Sequence, residues 1–235
     1  MKLSFLVCVN DAAVLERCLL RSPCLLSAVG HQLIVVEGAR SAAEGFARGR
    51  PFACNEWIVM VHQDVVLPEN WDKRFASGIE EALQMFPETA VVGVFGVTAE
   101  GKFVGHVNDR GRWIGSPLAA PVRVRSLDEL LFAVRTDSGL KLDPRLGFHL
   151  YATDLILSAE AEGFCAVAVN APCSHLSALP EKWYKSPVVH DFLASTSVFE
   201  DKWKALLPVI TTCGVIDGEG WLLKKIDELQ HASGN

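Results

Sequence analysis

Polar side chains that can bind a cation or hydrogen-bond a ligand follow three apolar runs in the first third of the chain. They are Asn10 and Asp11 after residues 3–9, Glu37 after residues 33–36, and His62, Gln63 and Asp64 after residues 57–61. No glycine-rich phosphate-binding motif follows any of these runs, so neither a dinucleotide fingerprint nor a P-loop is supported. A phosphate held here needs its charge neutralised in another way, and acidic residues suggest that a divalent cation does so.

The three apolar runs alternate with helical patterns. Each run is nearly continuous, which is typical of a strand covered on both faces, and residues 12–20 and 41–49 between them have helical spacing. This order predicts an α/β fold with parallel strands joined by right-handed crossovers. Ligands bind beyond the carboxyl ends of such strands, so we expect the polar groups to lie at one edge of the sheet.

The rest of the chain is also predicted to contain helices and strands, although they alternate less regularly. The expected elements are a helix at 69–85, strands at 90–97 and 122–124, an apolar segment at 130–134, a helix at 152–162, a strand at 164–169, and helices around 192–207 and at 221–230. Residues 98–117 are glycine-rich and polar, and no element is predicted there. We predict one domain over residues 1–207 and a C-terminal tail over residues 208–235 whose short helix packs on that domain.

The amino-acid composition argues against several classes of protein. Half of the 235 residues are hydrophobic, which excludes a disordered chain, and 22 Lys and Arg against 28 Asp and Glu disfavour a nucleic-acid partner. Seven cysteines with no Cys-x-x-Cys pair indicate neither a disulfide framework nor a zinc knuckle, so a cytoplasmic location is expected. The apolar runs are too short to span a bilayer, and residues 3–9 favour a buried strand over a signal peptide, so we expect at most peripheral membrane contact.

Several short motifs, taken in order, resemble one enzyme family. They are residues 5–11, residues 58–65 with Trp71, residues 128–134, residues 147–154, residues 163–164 and residues 175–177. From residue 3 to about residue 207 the chain resembles inverting nucleotide-sugar glycosyltransferases of family two, in the short branch that carries His-Gln-Asp in place of Asp-x-Asp. The resemblance implies the GT-A fold, a nucleotide-binding α/β/α sandwich with a mostly parallel central sheet. It also implies metal-dependent transfer from a nucleotide-diphosphate sugar, expected to be UDP-linked, to a hydroxyl of a glycan, lipid-linked or protein acceptor.

The resemblance assigns metal ligands. It implies that Asp64 binds the metal that bridges the donor's diphosphate, that His62 stands in place of the first acid of the motif, and that His175 is a further ligand after the last core strand. The expected ion is Mn²⁺ or Mg²⁺, and imidazole ligands favour manganese over calcium. The alternative is that Asp64 only caps the next helix and that His175 is a surface residue.

The resemblance also assigns the nucleotide-binding residues. It places Asn10, Asp11 and Glu37 where the family holds the nucleotide, and we include the neighbouring amide of Gln63. Glu37 stands where Asp is commoner, at a position whose carboxylate can accept the N3–H of uracil. Helix capping and solvated strand ends remain an equally acceptable explanation of these residues.

Asp154 is the predicted catalytic base. The family places this acid at the start of the helix after an aromatic-glycine segment, and inversion requires a carboxylate that takes the proton of the acceptor hydroxyl. The alternative is an ordinary first-turn acid stabilised by the helix dipole. Thr153, where many members have a second acid, Glu37, and Glu44, where many have Asn, depart from the family pattern. These departures leave open a GT-A domain that binds a nucleotide or glycan without transferring sugar.

Overall fold

Nearly continuous apolar segments form the centre of the fold because both of their faces are covered. The computed structural model describes residues 1–26, 29–177 and 183–232. In it the segment Trp57–Val61 is a strand in which every residue is buried, and the first strand, Ser4–Val9, is buried at all but one position. The run at the start of the chain is therefore a core strand.

Helices and strands alternate at the start of the chain, whereas seven consecutive strands separate the third α-helix from the fourth within the described ranges. The α-helices are α1 (Ala12–Arg17), α2 (Ala42–Gly49), α3 (Trp71–Met85), α4 (Tyr151–Ala161), α5 (Val188–Trp203) and α6 (Trp221–Ala232). The strands are β1 (Ser4–Val9), β2 (Gln32–Glu37), β3 (Trp57–Val61), β4 (Val65–Val66), β5 (Thr89–Gly93), β6 (Phe95–Val97), β7 (Phe103–Asp109), β8 (Arg112–Ser116), β9 (Val122–Val124), β10 (Ser126–Leu127), β11 (Leu131–Arg135), β12 (Cys165–Ala168), β13 (Ser174–His175), β14 (Val209–Thr211) and β15 (Gly214–Ile216).

The main sheet has the order β2-β1-β3-β11-β5-β12-β9 over the described residues. β1 is parallel to both β2 and β3, as the alternating pattern predicted. β12 is parallel to β5, whereas β11 and β9 are antiparallel to their neighbours, so the sheet is mixed, with five of its seven strands running in one direction. A parallel return needs a crossover connection, usually a helix, whereas the chain reaches β11 from β5 through short strands.

Helices cover both faces of this sheet. Phe46 of α2 and Leu155 of α4 pack in one core cluster, on one face. Leu15 of α1 belongs to a second cluster with Trp71 and Phe75 of α3, which stack with ring centroids 4.6 Å apart. The predicted α/β class and three-layer sandwich are therefore present.

A second, smaller sheet lies beside the first. Its order is β10-β6-β7-β13-β4, with β8 paired to β7. The single strand predicted at residues 90–97 is divided at Val94 into β5 of the main sheet and β6 of the small one. Residues 98–117, for which no element was predicted, form the β7–β8 hairpin, whose turn residues Arg110 and Gly111 both have positive φ, at 49° and 83°.

The C-terminal segment packs on the same core. Trp221 and Leu222 of α6 are buried in the cluster that holds Phe192 and Phe199 of α5. The hairpin β14–β15 precedes α6 and contributes the buried Ile216. Residues 233–235 of the predicted tail lie outside the described residues, and the boundary at residue 207 stays a prediction.

We predict that Gly105 is needed for the small sheet to form. Its φ is +79°, and a Cβ at this position would lie 2.1 Å from the carbonyl oxygen of Val94. Gly105→Ala is therefore expected to lower the free energy of unfolding by about 3 kcal/mol, from positive-φ strain together with a backbone clash. Gly111→Ala is the matched control, because Gly111 has φ +83° and open space around it, and about 1 kcal/mol is expected. Equal losses for the two variants in urea unfolding would contradict the clash.

Candidate functional site

The loop between β3 and β4 carries the His-Gln-Asp motif. β3 is held between β1 and β11, and the N–H of His62 extends the β11 pairing by donating to the carbonyl of Leu130 at 2.9 Å. β4 then begins at Val65. Residues 62–64 are thus fixed at both ends, at the carboxyl end of a buried strand, where the sequence predicted the chemistry to lie.

β13 brings His175 to this loop although the two are far apart in sequence. His175 pairs with Val65 of β4 on one side and with Asp109 of β7 on the other. The N–H of Leu176 donates to the carbonyl of Asp64 at 2.9 Å, which ties the residue after His175 directly to the motif. Backbone hydrogen bonds therefore set the position of the imidazole.

His62, Asp64 and His175 form a group that could hold a metal ion. One ligand atom from each of the three lies within 4.8 Å of the others, and Nε2 of His175 is 3.3 Å from Oδ1 of Asp64. The side chains of Asp64 and His175 are mostly buried, with exposed fractions of 19% and 17%. Two imidazoles and a carboxylate suit a first-row divalent ion such as Mn²⁺ better than Ca²⁺, which prefers oxygen ligands throughout.

The electrostatics of the group match a cation site. Burial disfavours the charged carboxylate of Asp64, but the hydrogen bond and charge of His175 outweigh it and lower the pKa of Asp64. Burial likewise opposes protonation of His175, but the hydrogen bond and charge of Asp64, with Asp128 and Asp109 nearby, raise the pKa of His175. Burial, with the charge of His175, lowers the pKa of His62 to about 4. The surroundings of Asp64 and His175 therefore stabilise one positive charge next to the Asp64 carboxylate, carried either by the protonated His175 ring or by a bound cation.

Each histidine also has a partner outside the group. Nδ1 of His175 is 3.0 Å from Oδ1 of Asp109. Nε2 of His62 is 3.2 Å from the hydroxyl of Tyr151, and that hydroxyl donates to the carbonyl of Glu129 at 3.2 Å. Asp109 and Tyr151 were not predicted as site residues. The glycine at the second position of the Arg110-Gly111 turn, between the apolar residues Val107 and Trp113, could have indicated the hairpin that carries Asp109.

A pocket of about 310 Å³ opens beside the metal ligands, which is within the size range of small-molecule sites. It is lined by Cys8, Val9, Asn10, Ala39, Ala42, Met60, Val61, His62, Gln63, Asp64, Phe148 and Tyr151. Of these, Asn10, His62, Gln63 and Asp64 were predicted. The aromatic residues Phe148 and Tyr151 were not predicted as lining residues, although both lie within residues 147–154, one of the motifs that carry the resemblance.

The two amides at the pocket are linked to each other. Oε1 of Gln63 accepts the backbone N–H groups of Asn10 and Asp11 at 3.1 and 3.2 Å, and Nε2 of Gln63 donates to Oδ1 of Asn10 at 2.5 Å. The carboxylate of Asp11 instead caps α1 by accepting the N–H groups of Ala13 and Val14. Glu37 is exposed at the end of β2, paired in register with Val9, and is not among the lining residues. The structure thus brings Asn10 and Gln63 to the pocket, and leaves the side chains of Asp11 and Glu37 outside it.

Asp154 is not at the pocket. It lies in the first turn of α4 with an exposed fraction of 0%. Its Oδ1 accepts the indole N–H of Trp203 at 2.8 Å and pairs with Nζ of Lys202 at 2.7 Å, both from α5. Burial raises the pKa of Asp154, and the Lys202 and Trp203 hydrogen bonds oppose that shift. Through these contacts Asp154 links α4 to α5, which is a structural role. Its role as catalytic base stays a prediction, and the contacts described here do not favour it.

The two remaining departures from the family pattern also have structural partners. The hydroxyl of Thr153 is 2.8 Å from that of Ser126, in a buried position. Glu44 pairs with Arg40 at 2.8 Å, and its own N–H donates to the capping hydroxyl of Ser41. Neither residue lines the pocket.

The fold is shared with solved glycosyltransferases. A structure of GalNAc-T7 with UDP, GalNAc and Mn²⁺ matches with TM-score 0.55 and 13% identity, covering 87% of this chain and 49% of that one. The mannosyltransferase PcManGT of Pyrobaculum calidifontis, in complex with GDP-Man and Mn²⁺, matches with TM-score 0.53 and 12% identity, covering 85% and 64%. Glucosyl-3-phosphoglycerate synthase of Mycobacterium tuberculosis, in complex with Mn²⁺, UDP and glucosyl-3-phosphoglycerate, matches with TM-score 0.52 and 12% identity, covering 86% and 79%. The chain therefore has the GT-A fold, which confirms the fold expected from the resemblance.

Comparison of the sequence with known proteins is less informative than comparison of the fold. No protein-family model matches the chain. The protein described as ATP synthase subunits region ORF 6 of Fuscovulum blasticum is 32% identical over 142 residues, which cover 53% of this chain and 53% of that protein. The chain thus spans about half the length of this curated relative.

We predict that Asp154 acts mainly on stability. Asp154→Asn is expected to lower the free energy of unfolding by about 1–3 kcal/mol, because the Lys202 ammonium loses a carboxylate in a place shielded from water. Asp137→Asn is the control, since Asp137 also pairs with a cation, Arg135, but is 76% exposed, and less than about 0.5 kcal/mol is expected. Urea unfolding of both variants gives the comparison. If the free energy of unfolding of Asp154→Asn equals that of the unmodified chain, Asp154 does not stabilise the contact between α4 and α5.

Proposed function

We propose that this chain is a metal-dependent glycosyltransferase that moves a sugar from a nucleotide-diphosphate sugar to a hydroxyl acceptor. The observation that carries the proposal is the convergence of His62, Asp64 and His175 beside a pocket at the carboxyl end of β3, in a GT-A fold. Strand ends of this kind are where α/β sheets bind ligands. The three side chains come from two sheets, so their convergence is a property of the whole fold.

The ligand set fits the charge that a diphosphate requires. Two neutral imidazoles and one carboxylate compensate one of the two charges of a divalent ion and leave the other for the donor. Mn²⁺ or Mg²⁺ held there would neutralise the diphosphate and stabilise it as a leaving group. His62, Asp64 and His175 would hold the ion, and Mn²⁺ fits the two imidazoles better.

The rest of the pocket supports binding of the nucleotide part of the donor. The Asn10 and Gln63 amides fix the end of β1 against the end of β3, and they present polar atoms at one side of the pocket. Phe148 and Tyr151 supply aromatic surface, which suits a base or a sugar ring. We retain Asp11 and Glu37 as proposed nucleotide contacts only because their backbone lies at the same edge of the sheet as Asn10.

The structural neighbours support the donor class. The three neighbours described above were solved with UDP or GDP-Man together with Mn²⁺. A UDP-linked sugar is our first choice of donor, as the resemblance implied, with a GDP-linked sugar as the comparison. Inversion at the anomeric carbon, and a glycan, lipid-linked or protein acceptor, are proposed from the same resemblance.

A cytoplasmic location with at most peripheral membrane contact is part of the proposal. All seven cysteines lie in the described ranges and none forms a disulfide, and reduced thiols fit a reducing compartment. Among the described residues, none of the helices has the length and apolar character needed to cross a bilayer.

A second candidate is a GT-A domain that binds a nucleotide sugar or a glycan without transferring sugar. Two observations favour it. Asp154 is buried against Lys202 and Trp203, and Asp64 is the only carboxylate among the described residues that line the pocket. A carboxylate used as a metal ligand is not free to accept the proton of an acceptor hydroxyl, so the pocket as described contains no separate carboxylate base.

We predict that nucleotide binding depends on the metal and on Asp64. With Mn²⁺ and UDP at about 100 times Kd, the Tm of the unmodified chain is expected to rise by about 5–10 °C. A chelator is expected to abolish the rise, and so is Asp64→Ala. Asp137→Asn serves as the matched control for loss of a carboxylate and should respond like the unmodified chain. A metal-independent rise, or a full response from Asp64→Ala, would remove the metal assignment.

We predict that Mn²⁺-dependent release of nucleoside diphosphate accompanies sugar transfer. Incubation with UDP- and GDP-linked sugars and a panel of glycan, lipid and peptide hydroxyl acceptors, followed by mass spectrometry, is expected to show a product. NMR of that product is expected to show an anomeric configuration opposite to that of the donor. Mn²⁺-dependent binding without release or product from any donor favours the second candidate.

A further inference from the structure

The two histidines of the metal group each use one ring nitrogen for a hydrogen bond inside the protein. A neutral imidazole has one N–H and one lone pair, so the hydrogen bond at one nitrogen decides what the other can do. An ionised carboxylate has no proton to donate. Ionised Asp109 therefore accepts a hydrogen bond from Nδ1 of His175 and cannot donate one. Nδ1 therefore carries a proton. Nε2 lies 3.3 Å from the Asp64 carboxylate, so it donates to Asp64 when the ring is protonated, and in the neutral ring held by Asp109 it would offer its lone pair to a metal ion in place of that proton.

The hydrogen bonds of His62 lead to the opposite tautomer. The hydroxyl proton of Tyr151 is directed to the carbonyl of Glu129, which has no proton to give. The hydroxyl oxygen is then left as the acceptor for His62, so Nε2 of His62 must be the donor over the 3.2 Å between them. This leaves the lone pair of His62 on Nδ1.

We propose that Asp109 and Tyr151 are positioning residues of the metal site, which hold the two histidines in opposite tautomers so that His175 presents Nε2 and His62 presents Nδ1. The inference rests on the metal site of the proposed function and goes beyond it, because it assigns two residues outside the ligand group and names the ligand atoms. Such partners of metal-bound histidines orient the ring and raise its basicity, and their loss typically weakens metal binding 10–100-fold.

The scaffold is built to keep these partners in place. Asp109 is the last residue of β7 and is directly paired in register with His175, and the following N–H, that of Arg110, donates to the carbonyl of His175 at 3.0 Å. Tyr151 is the first residue of α4 and is only 3% exposed, with its ring 5.9 Å from that of Phe132. The backbone of Asp109 is therefore fixed beside His175, and core packing fixes the ring of Tyr151.

Mn²⁺ affinity, measured by electron paramagnetic resonance with the metal alone, tests the proposal. Asp109→Asn is expected to raise the Kd by 10–100-fold, because an amide is a weaker acceptor and can also rotate to donate to Nδ1. Tyr151→Phe changes no charge and is expected to raise the Kd by about 10-fold. Glu160→Gln is the control for Asp109→Asn, because Glu160 is a carboxylate of similar exposure, 34% against 27%, paired with Arg125 in place of a histidine. Its Kd should stay within about twofold of the unmodified value.

Nitrogen-15 NMR of the histidine rings, with Zn²⁺ as a diamagnetic probe, gives a readout that a merely structural role would not change. The unmodified chain is expected to bind through Nε2 of His175 and Nδ1 of His62, and Asp109→Asn is expected to show His175 in mixed tautomers. Binding of His175 through Nδ1, or an unchanged Kd in both Asp109→Asn and Tyr151→Phe, would overturn the inference.

These measurements also separate the inference from the proposed function, because they need neither donor nor acceptor. An unmodified chain that binds no Mn²⁺ would overturn the metal site and this inference together. An unmodified chain that binds Mn²⁺, with variants that bind equally well, would overturn the inference alone. Far-UV circular dichroism and the Tm of each variant show that the fold is retained.

Discussion

The geometry of the site depends on the two-residue strand β13, which is held between β4 and β7. β13 is antiparallel to β4, which follows the His-Gln-Asp motif, and parallel to β7, which ends at Asp109. A strand this short has almost no pairing energy of its own, so its neighbours must be in place first. Once they are, backbone hydrogen bonds fix His175 between Asp64 and Asp109 without any contribution from a ligand.

This dependence links the chemistry to the junction of the two sheets. β3 of the main sheet delivers His62 and Asp64, whereas the small sheet delivers His175. The chain passes from one sheet to the other at Val94, and the small sheet closes only where glycines allow β6, β7 and β8 to approach, as at Gly105. Changes in this hairpin are therefore expected to act on the metal group at a distance, through the register of β7 and β13.

Sequence reasoning could predict the part of this arrangement that lies along one strand. Residues 57–64 combine a fully apolar strand with a polar end, and this pattern gave both the element and the position of the motif correctly. Asp109 could not be found in the same way, because no element is predicted over residues 98–117 and because its partner His175 is supplied by β13, far away in the sequence. Asp154 shows a different limit: the start of α4 is predicted to within one residue, but the packing of α5 over it, through Trp203 and Lys202, is not encoded in the local pattern. The catalytic role of Asp154 stays a prediction.

The distribution of charge around His175 constrains the order in which ligands can bind. Asp64, Asp109 and Asp128 all contribute negative charge near this imidazole, in a partly buried region where screening by water is weak. A diphosphate approaching these carboxylates in the absence of a cation meets repulsion, since the group as a whole is acidic. A divalent ion reverses the sign locally and makes the same pocket attractive to the diphosphate. For the nucleotide-sugar donor of the proposed function, the arrangement therefore favours binding of the cation before, or together with, the nucleotide, whether the sugar is then transferred or only held.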